Sequence, residues 1–534
     1  MQQGKGRCMD DWWRGSVTYQ VYPRSFQDSD GDGIGDLPGI TARLGHLADL
    51  GVDAVWLSPV FASPMADMGY DVSDYTDIDP LFGTLADFDA LVARAHDLGL
   101  RVIIDQVISH SAAAHPLFQE SRRDRTNPRA DWYVWADPRP DGSVPNNWPS
   151  VFGGTAWEWD TRRRQYYLHN FLVSQPDFNF HNPDVQDWLL GTMRFWLDRG
   201  VDGFRLDTAN FYFHDAQLRS NPPLASNDPT PAVNPYEMQD HLYSKTQPEN
   251  LMFLARVRAL LDEYEGRAMV GEVGESQRAV QVMADYTAGT QRLHMAYSFD
   301  MLGPQFTPSH FRGKIEAFFK GAPDGWPAWA FSNHDVIRHV TRWAVHGASD
   351  NVAKLAAAML LSFEGTIYLY QGEELGQTET EIEFHELTDP PGITFWPEYK
   401  GRDGCRTPMV WDGSAQGGFT TGVSWLPVKE AQLARNVASQ DGVAGSVLEF
   451  YREMLAFRRG SEVLMAGRTR FLEVEEPVLM FERVLEGSMM TCAFNLSAGT
   501  VMVAAKGALA GPAQNAVVGP EGLTLGPNGF AFLI

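Results

Sequence analysis

The stretch GFRLD, Gly203 to Asp207, follows a helix-like run ending in DRGV and reads as a buried parallel strand that terminates in a carboxylate. Side chains two apart on a strand share a face, so Arg205 and Asp207 point the same way, and a neighbouring guanidinium favours an ionised aspartate. Such a carboxylate can act as a nucleophile, although the same two residues could also form a strand-end ion pair that only holds a turn. The rest of the chain decides between these readings. Glu272 in MVGEV, Asp335 in FSNHD, and Asp105 with His110 in DQVISH each stand at or just past the end of an apolar, strand-like run. Strands that share one polar end describe a catalytic face.

Working outward, the joint before GFRLD recurs. DLGVDAVWL, DLGLRVIID and DRGVDGFRLD each pass from a helical pattern through a glycine (Gly51, Gly99, Gly200) into an apolar run. Helix starts precede them: Thr84 with Asp87 forms a capping box, and Asn182 before Pro183 is an N-cap with proline at the first helical position. Repeated helix, glycine, strand is the sequence form of parallel βα units, and this many units predict an α/β fold, a (β/α)8 barrel whose active site lies at the strand C-terminal ends. Strands are expected at Val17 to Tyr22, Val52 to Leu57, Val102 to Asp105, Gly203 to Asp207, Ala268 to Val273, Leu293 to Phe299, Ala328 to Asp335 and Thr366 to Gln371.

Residues 110–179, rich in Trp, Pro, Asn and Arg, read as an inserted domain after the third strand, leaving 1–109 and 180–461 for the barrel. The alternating stretches of 462–534 read as a C-terminal antiparallel β domain. The Pro- and Asn-rich passage from Asp207 to about Asn250 is too long for an ordinary loop and suggests a lid or an acceptor-site wall.

Composition narrows the function. The chain has 534 residues, 44% hydrophobic and 21% charged, and a formal charge of −25 that repels nucleic acid and anionic membrane. Cys8, Cys405 and Cys492 are too few for a disulfide framework or a zinc site. With no signal-peptide pattern at the N-terminus and no apolar run long enough to span a bilayer, the expectation is a soluble, cytoplasmic protein. Near the start, DSDGDGIGD sets Asp28, Asp30, Asp32 and Asp36 around Gly33, with the Ile34 carbonyl, in the manner of the front half of a calcium loop. Gly39 replaces the closing glutamate of an EF-hand, so regulation by calcium is not expected, and an acidic surface turn is the alternative.

DQVISH, QPDFN, GFRLD, GEVGE, FSNHD, YQGEELG and GRDGCRTPM occur in the order found in the α-amylase superfamily, glycoside hydrolase family 13. The chain resembles its α-glucosidase and oligo-1,6-glucosidase branch over nearly its whole length. The resemblance implies that Asp207 is the nucleophile, Glu272 the acid/base and Asp335 a carboxylate that stabilises the sugar. It further implies that Tyr70, Asp71, His110, His334 and Arg402 surround the first glucose, with an Asp–Arg pair closing the far rim. Phe152 and Phe171 border the pocket, Arg205 keeps Asp207 ionised, and the acidic loop binds a structural calcium or magnesium. Thr208 stands where α-1,6 specialists of the family carry Val, which implies preference for short α-1,4-glucosides such as maltose. Transglucosylation, sucrose cleavage or isomerisation remain open alternatives, and a non-catalytic scaffold is a remote one.

Overall fold

The structure is a computed structural model that describes residues 11–225 and 230–534. Eight parallel strands occur in chain order: β1 (Val17–Val21), β2 (Ala54–Leu57), β3 (Arg101–Gln106), β4 (Gly203–Leu206), β5 (Ala268–Val273), β6 (Met295–Ser298), β7 (Ala328–Ala330) and β8 (Thr366–Tyr370). Their spatial order is β6-β5-β4-β3-β2-β1-β8-β7. An isolated parallel bridge between Ala296 and Pro327 joins the two end strands, so the sheet curls into a (β/α)8 barrel.

The glycine joints work as the sequence predicts. Gly51, Gly99 and Gly200 take φ of 98°, 77° and 92°, the left-handed conformation that ends each helix and turns the chain into the next strand. The helices before them are α1 (Leu37–Leu50), α2 (Leu85–Asp97) and α3 (Pro183–Asp198). Thr84 and Asp87 form the capping box of α2, and Asn182 caps α3 by accepting from Asp184 N–H.

Inside the barrel, Trp56, Ile103, Val270, Met295, Tyr297 and Tyr368 form one apolar cluster. Trp12, Trp13 and Trp326, which lie just before β1 and β7, close its N-terminal end. Trp12 Nε1 donates to the Gly266 carbonyl at 2.8 Å, fixing that plug to the start of β5. With this end filled, the opposite end is left for the site.

Six of the eight expected strands are shorter in the structure, β6 and β7 by the most. β7 stops at Ala330 because Asn333 Oδ1 accepts from Asp335 N–H at 2.9 Å, a turn that takes His334 and Asp335 off the strand. β6 stops at Ser298, whose hydroxyl caps a short 3-10 turn from Phe299. Within 110–179, Trp135–Ala136, Gln165–Leu168 and Trp157–Asp160 make a small antiparallel sheet. After the helix Glu462–Ala466, strands from Arg468 to Leu533 form a six-stranded antiparallel sheet. Cys8 lies outside the described residues; Cys405 and Cys492 are buried free thiols. Among the described residues no helix is long and apolar enough to cross a membrane.

Candidate active site

β4 delivers Arg205 and Asp207 to the open end of the barrel, and the β4/β5 register sets Val270 opposite Arg205, which brings Glu272 up beside them. Arg205 is wholly buried. Its guanidinium contacts Asp105 at 2.9 Å, Asp207 at 2.6 Å and Glu272 at 2.7 Å. The sequence reading has Arg205 beside Asp207, and the structure adds Asp105 and Glu272 to the same guanidinium. Burial pushes both Glu272 and Asp207 up to about 7, with Arg205 opposing the shift in each case. Asp105, Asp207 and Glu272 share the one guanidinium, so their protonations are linked. Tyr297 OH donates to Glu272 Oε1 at 3.1 Å and Thr208 N–H to Oε2 at 3.1 Å, so the Glu272 carboxyl is held from both sides. Thr208 takes φ of 38°, unusual for a β-branched residue, and its hydroxyl donates to Asp207 Oδ2 at 3.2 Å.

A second cationic cluster faces this pair. Arg402 binds Asp389 at 2.7 Å, Asp335 at 3.2 Å and Asp67 at 3.2 Å, and its guanidinium lies 5.0 Å above the Phe152 ring. Arg406 reaches Asp335 at 3.1 Å. Burial alone would raise Asp335, but His334 together with Arg402, Arg406 and Arg205 outweighs it and holds the carboxyl well below the usual range. Burial also drives His334 well below its ordinary pKa, so the ring that stands 3.3 Å from Asp335 is neutral. Asp67 is pushed up to about 6 by burial, against the pull of Arg402 and Arg406.

The residues around these clusters line one cavity of about 1080 Å³, which takes in Asp67, Tyr70, His110, Phe152, Phe171, Asp207, Thr208, Glu272, His334, Asp335 and Arg402. Tyr70 stacks on His334 with ring centroids 5.3 Å apart. His110 is held neutral, its pKa lowered by burial to about 4, and bonds the Tyr70 carbonyl at 2.9 Å. Phe171 packs against both His110 and Phe152. Arg205 lies beneath the floor and does not line the cavity.

Asp71 is the misplaced residue. Its carboxylate is spent on Ser63 Oγ, Ala66 N–H and Asp67 N–H, all at 2.9 to 3.0 Å, so it scaffolds the loop that presents Asp67. The acid beside Arg402 in the cavity is therefore Asp67. The sequence reading also passed over Asp389, Arg406 and Tyr297. The passage after Asp207 does supply a wall, through residues such as Val233, Tyr236 and Lys245.

The α-amylase catalytic-domain profile matches residues 20–467. The chain belongs to the α-amylase family. It is 56% identical to a probable α-glucosidase of Rhizobium meliloti over 91% of this chain and 90% of that one. An α-glucosyl transfer enzyme, XgtA, superposes with a TM-score of 0.94 at 52% identity, covering 98% of this chain and 99% of the other. The trehalulose synthase MutB of Pseudomonas mesoacidophila gives a TM-score of 0.86 at 32% identity over 98% and 99% of the two chains. This α-amylase family chain is thus an enzyme, a glycoside hydrolase of the glucosidase type.

The acidic loop lies away from the cavity. Carboxylate oxygens of Asp28, Asp30 and Asp36 come within 4.8 Å of one another, an all-oxygen set that fits a hard divalent cation. Asp32 is not in that set; its Oδ1 accepts Ile34 N–H at 2.8 Å. Gly33 has φ of 95°, and a Cβ there would stand 1.9 Å from the Val423 carbonyl oxygen, so only glycine allows this loop to close on 420–424. Asp36 also caps α1, accepting from Gly39 N–H at 2.6 Å.

Proposed function

We propose that this protein is a retaining, exo-acting α-glucosidase that releases glucose from the non-reducing end of short α-glucosides, with maltose-like α-1,4 linkages preferred. The observation that carries the reading is the single guanidinium shared by Asp207 and Glu272. It tethers the two carboxylates within reach of one glycosidic bond, which suits direct attack rather than an inserted water. In the first step Asp207 attacks the anomeric carbon while Glu272 gives its proton to the departing oxygen; the glycosidic C–O bond breaks and a glucosyl ester forms. In the second, Glu272 takes a proton from water, whose oxygen displaces Asp207. Asp335 and His334 engage the sugar hydroxyls, and Tyr70 is the aromatic platform. Arg402 with Asp67 blocks the cavity beyond the first glucose, which favours exo action.

The likeness to an α-glucosyl transfer enzyme supports a second outcome for the same intermediate, in which a sugar hydroxyl replaces water. A variant of the trehalulose synthase has been crystallised with sucrose, which keeps sucrose among the candidate donors. Asp28, Asp30 and Asp36 would hold a structural calcium or magnesium, whose charge offsets their mutual repulsion. The buried thiols suit a reducing, cytoplasmic setting.

The deciding experiment mixes the protein with maltose in D2O and follows the anomeric protons by NMR before mutarotation. Glucose first seen as the α anomer supports retention, and new glycosidic signals reveal transfer. Glucose first seen as the β anomer, or internal cleavage of a long maltodextrin, would overturn the proposal.

A further inference from the structure

Beneath the cavity floor, β1 contributes a side chain that touches no cavity surface. Gln20 is 1% exposed and points into the barrel, where its Nε2 lies 2.7 Å from His334 Nδ1 and 3.1 Å from Ser58 Oγ. Among the described residues its Oε1 has no hydrogen-bond partner. The opposite amide orientation would bury two N–H donors without acceptors instead of one carbonyl oxygen, and orphaned N–H groups are the rarer defect. The amide therefore donates to Nδ1, and a neutral imidazole that accepts at Nδ1 carries its proton on Nε2.

That proton faces Tyr70 Oη at 2.6 Å and Asp335 Oδ2 at 3.3 Å. With His334 donating to the phenol oxygen, the Tyr70 hydroxyl proton is committed to Asp105 Oδ2 at 3.1 Å. Asp105 accepts in turn from Arg205 Nη1, which also holds Asp207. Every donor from β1 through His334 to Asp105 points the same way.

We infer that Gln20 is a positioning residue that fixes the Nε2–H tautomer of His334, and through it the direction of the hydrogen bonds that run through Tyr70 and end at Asp105. The ring has little freedom to respond otherwise. It is stacked between Tyr22 and Tyr70, with the edge of Trp56 against it. Among the charged groups around it, Asp335 acts most strongly to raise its pKa and Arg406, Arg205 and Arg402 to lower it, with Asp105 beyond Tyr70, and burial keeps it neutral. The tautomer therefore has to be selected by hydrogen bonding rather than by protonation.

The inference rests on the proposed reaction only for its kinetic consequence, so the first test is independent of activity. In protein labelled with 15N-histidine, the His334 resonances are assigned by their loss in His334→Asn, and two-bond 1H–15N correlations report the tautomer. Nε2–H is expected across about pH 5 to 9; Nδ1–H would overturn the inference. The second test compares Gln20→Glu with Gln20→Met on maltose. The carboxylate that Gln20→Glu introduces only accepts, so Nδ1 must be protonated. His334 then titrates, and above its new pKa the Nε2 proton is gone. Gln20→Glu should show kcat/KM falling about ten-fold or more with rising pH across an ionisation absent from wild type. Gln20→Met, where Asp335 still favours Nε2–H, should lose less and gain no ionisation. Equal losses in both variants with unchanged pH profiles would reduce Gln20 to a packing residue.

Discussion

Asp67→Asn, read against Asp71→Asn, separates the two acids that flank Tyr70. Asp67 faces the cavity and meets Arg402 at 3.2 Å, whereas Asp71 is occupied by three donors of its own loop. Replacing Asp67 by its neutral isostere should not collapse the closed end, because Arg402 keeps Asp389 at 2.7 Å and Asp335 at 3.2 Å. What is lost is a charged acceptor for a hydroxyl of the terminal glucose. Hydrogen bonds to charged groups contribute about 1.5–3 kcal/mol. At about 1.4 kcal/mol per decade, kcat/KM on maltose should fall roughly 10- to 150-fold with little change in Tm. Asp71→Asn should instead weaken the 63–67 loop, at a cost of about 1–3 kcal/mol for the N–H donor it leaves unmet, and show first in Tm. Initial rates and thermal melts on both variants suffice. If Asp67→Asn stays within about two-fold of wild type while Asp71→Asn abolishes turnover at unchanged Tm, the geometric argument fails.

Glu272→Gln should lower kcat on maltose by about 10²- to 10⁴-fold; with p-nitrophenyl α-glucoside, whose leaving group needs less protonation, formation of the glucosyl ester should be spared and its hydrolysis, which lacks its base, should become limiting, seen as a burst of p-nitrophenol. Because burial pushes Glu272 up to about 7, wild-type kcat should decline as pH rises through that value and the proton is lost; a flat alkaline limb contradicts the role. Thr208→Val keeps the branched shape but removes the hydroxyl bonded to Asp207, and should raise the isomaltose-to-maltose turnover ratio; an unchanged ratio rules the residue out as a selector. Dialysis against a chelator should lower Tm and added calcium or magnesium restore it, a response that Asp30→Ala should abolish if Asp28, Asp30 and Asp36 hold the ion.

The barrel was legible because its punctuation is local. Glycines at left-handed positions, a capping box and an Asn-Pro helix start are decided by a few neighbouring residues, and they repeat at each joint. Strand alternation likewise put Arg205 and Asp207 on one face. What it could not supply was the lateral register: that Arg205 lies opposite Val270, and so spans to Glu272, depends on how two strands distant in sequence slide against each other. The choice between Asp67 and Asp71 turned on backbone conformation. Met68 and Gly69 take φ of 53° and 105°, and this left-handed pair turns Asp67 inward while Asp71 folds back on the loop. A methionine carries no signal for such a conformation. Asp389 and Arg406 stand on long segments after β8, and only tertiary contact brings them to Asp335 and Arg402.

The same division between local and distant determinants bears on why one scaffold appears in proteins called α-glucosidase, α-glucosyl transfer enzyme and trehalulose synthase. The glucose side is over-determined: Arg205, on β4, has three carboxylate partners, and Arg402, on the segment after β8, has another three. The opposite wall comes from excursions between strands. Lys245 there is buried among Phe211, Tyr236 and the Gly274 carbonyl, to which its ammonium donates at 2.7 Å, and burial lowers its pKa to about 8. Gly274 is two residues past Glu272, so this wall is anchored at the end of the strand that carries Glu272. Sequence change in 211–250 can therefore alter which hydroxyl reaches a glucosyl intermediate while the guanidinium that holds Asp207 and Glu272 stays fixed, which is the physical condition for one site to yield hydrolysis or transfer.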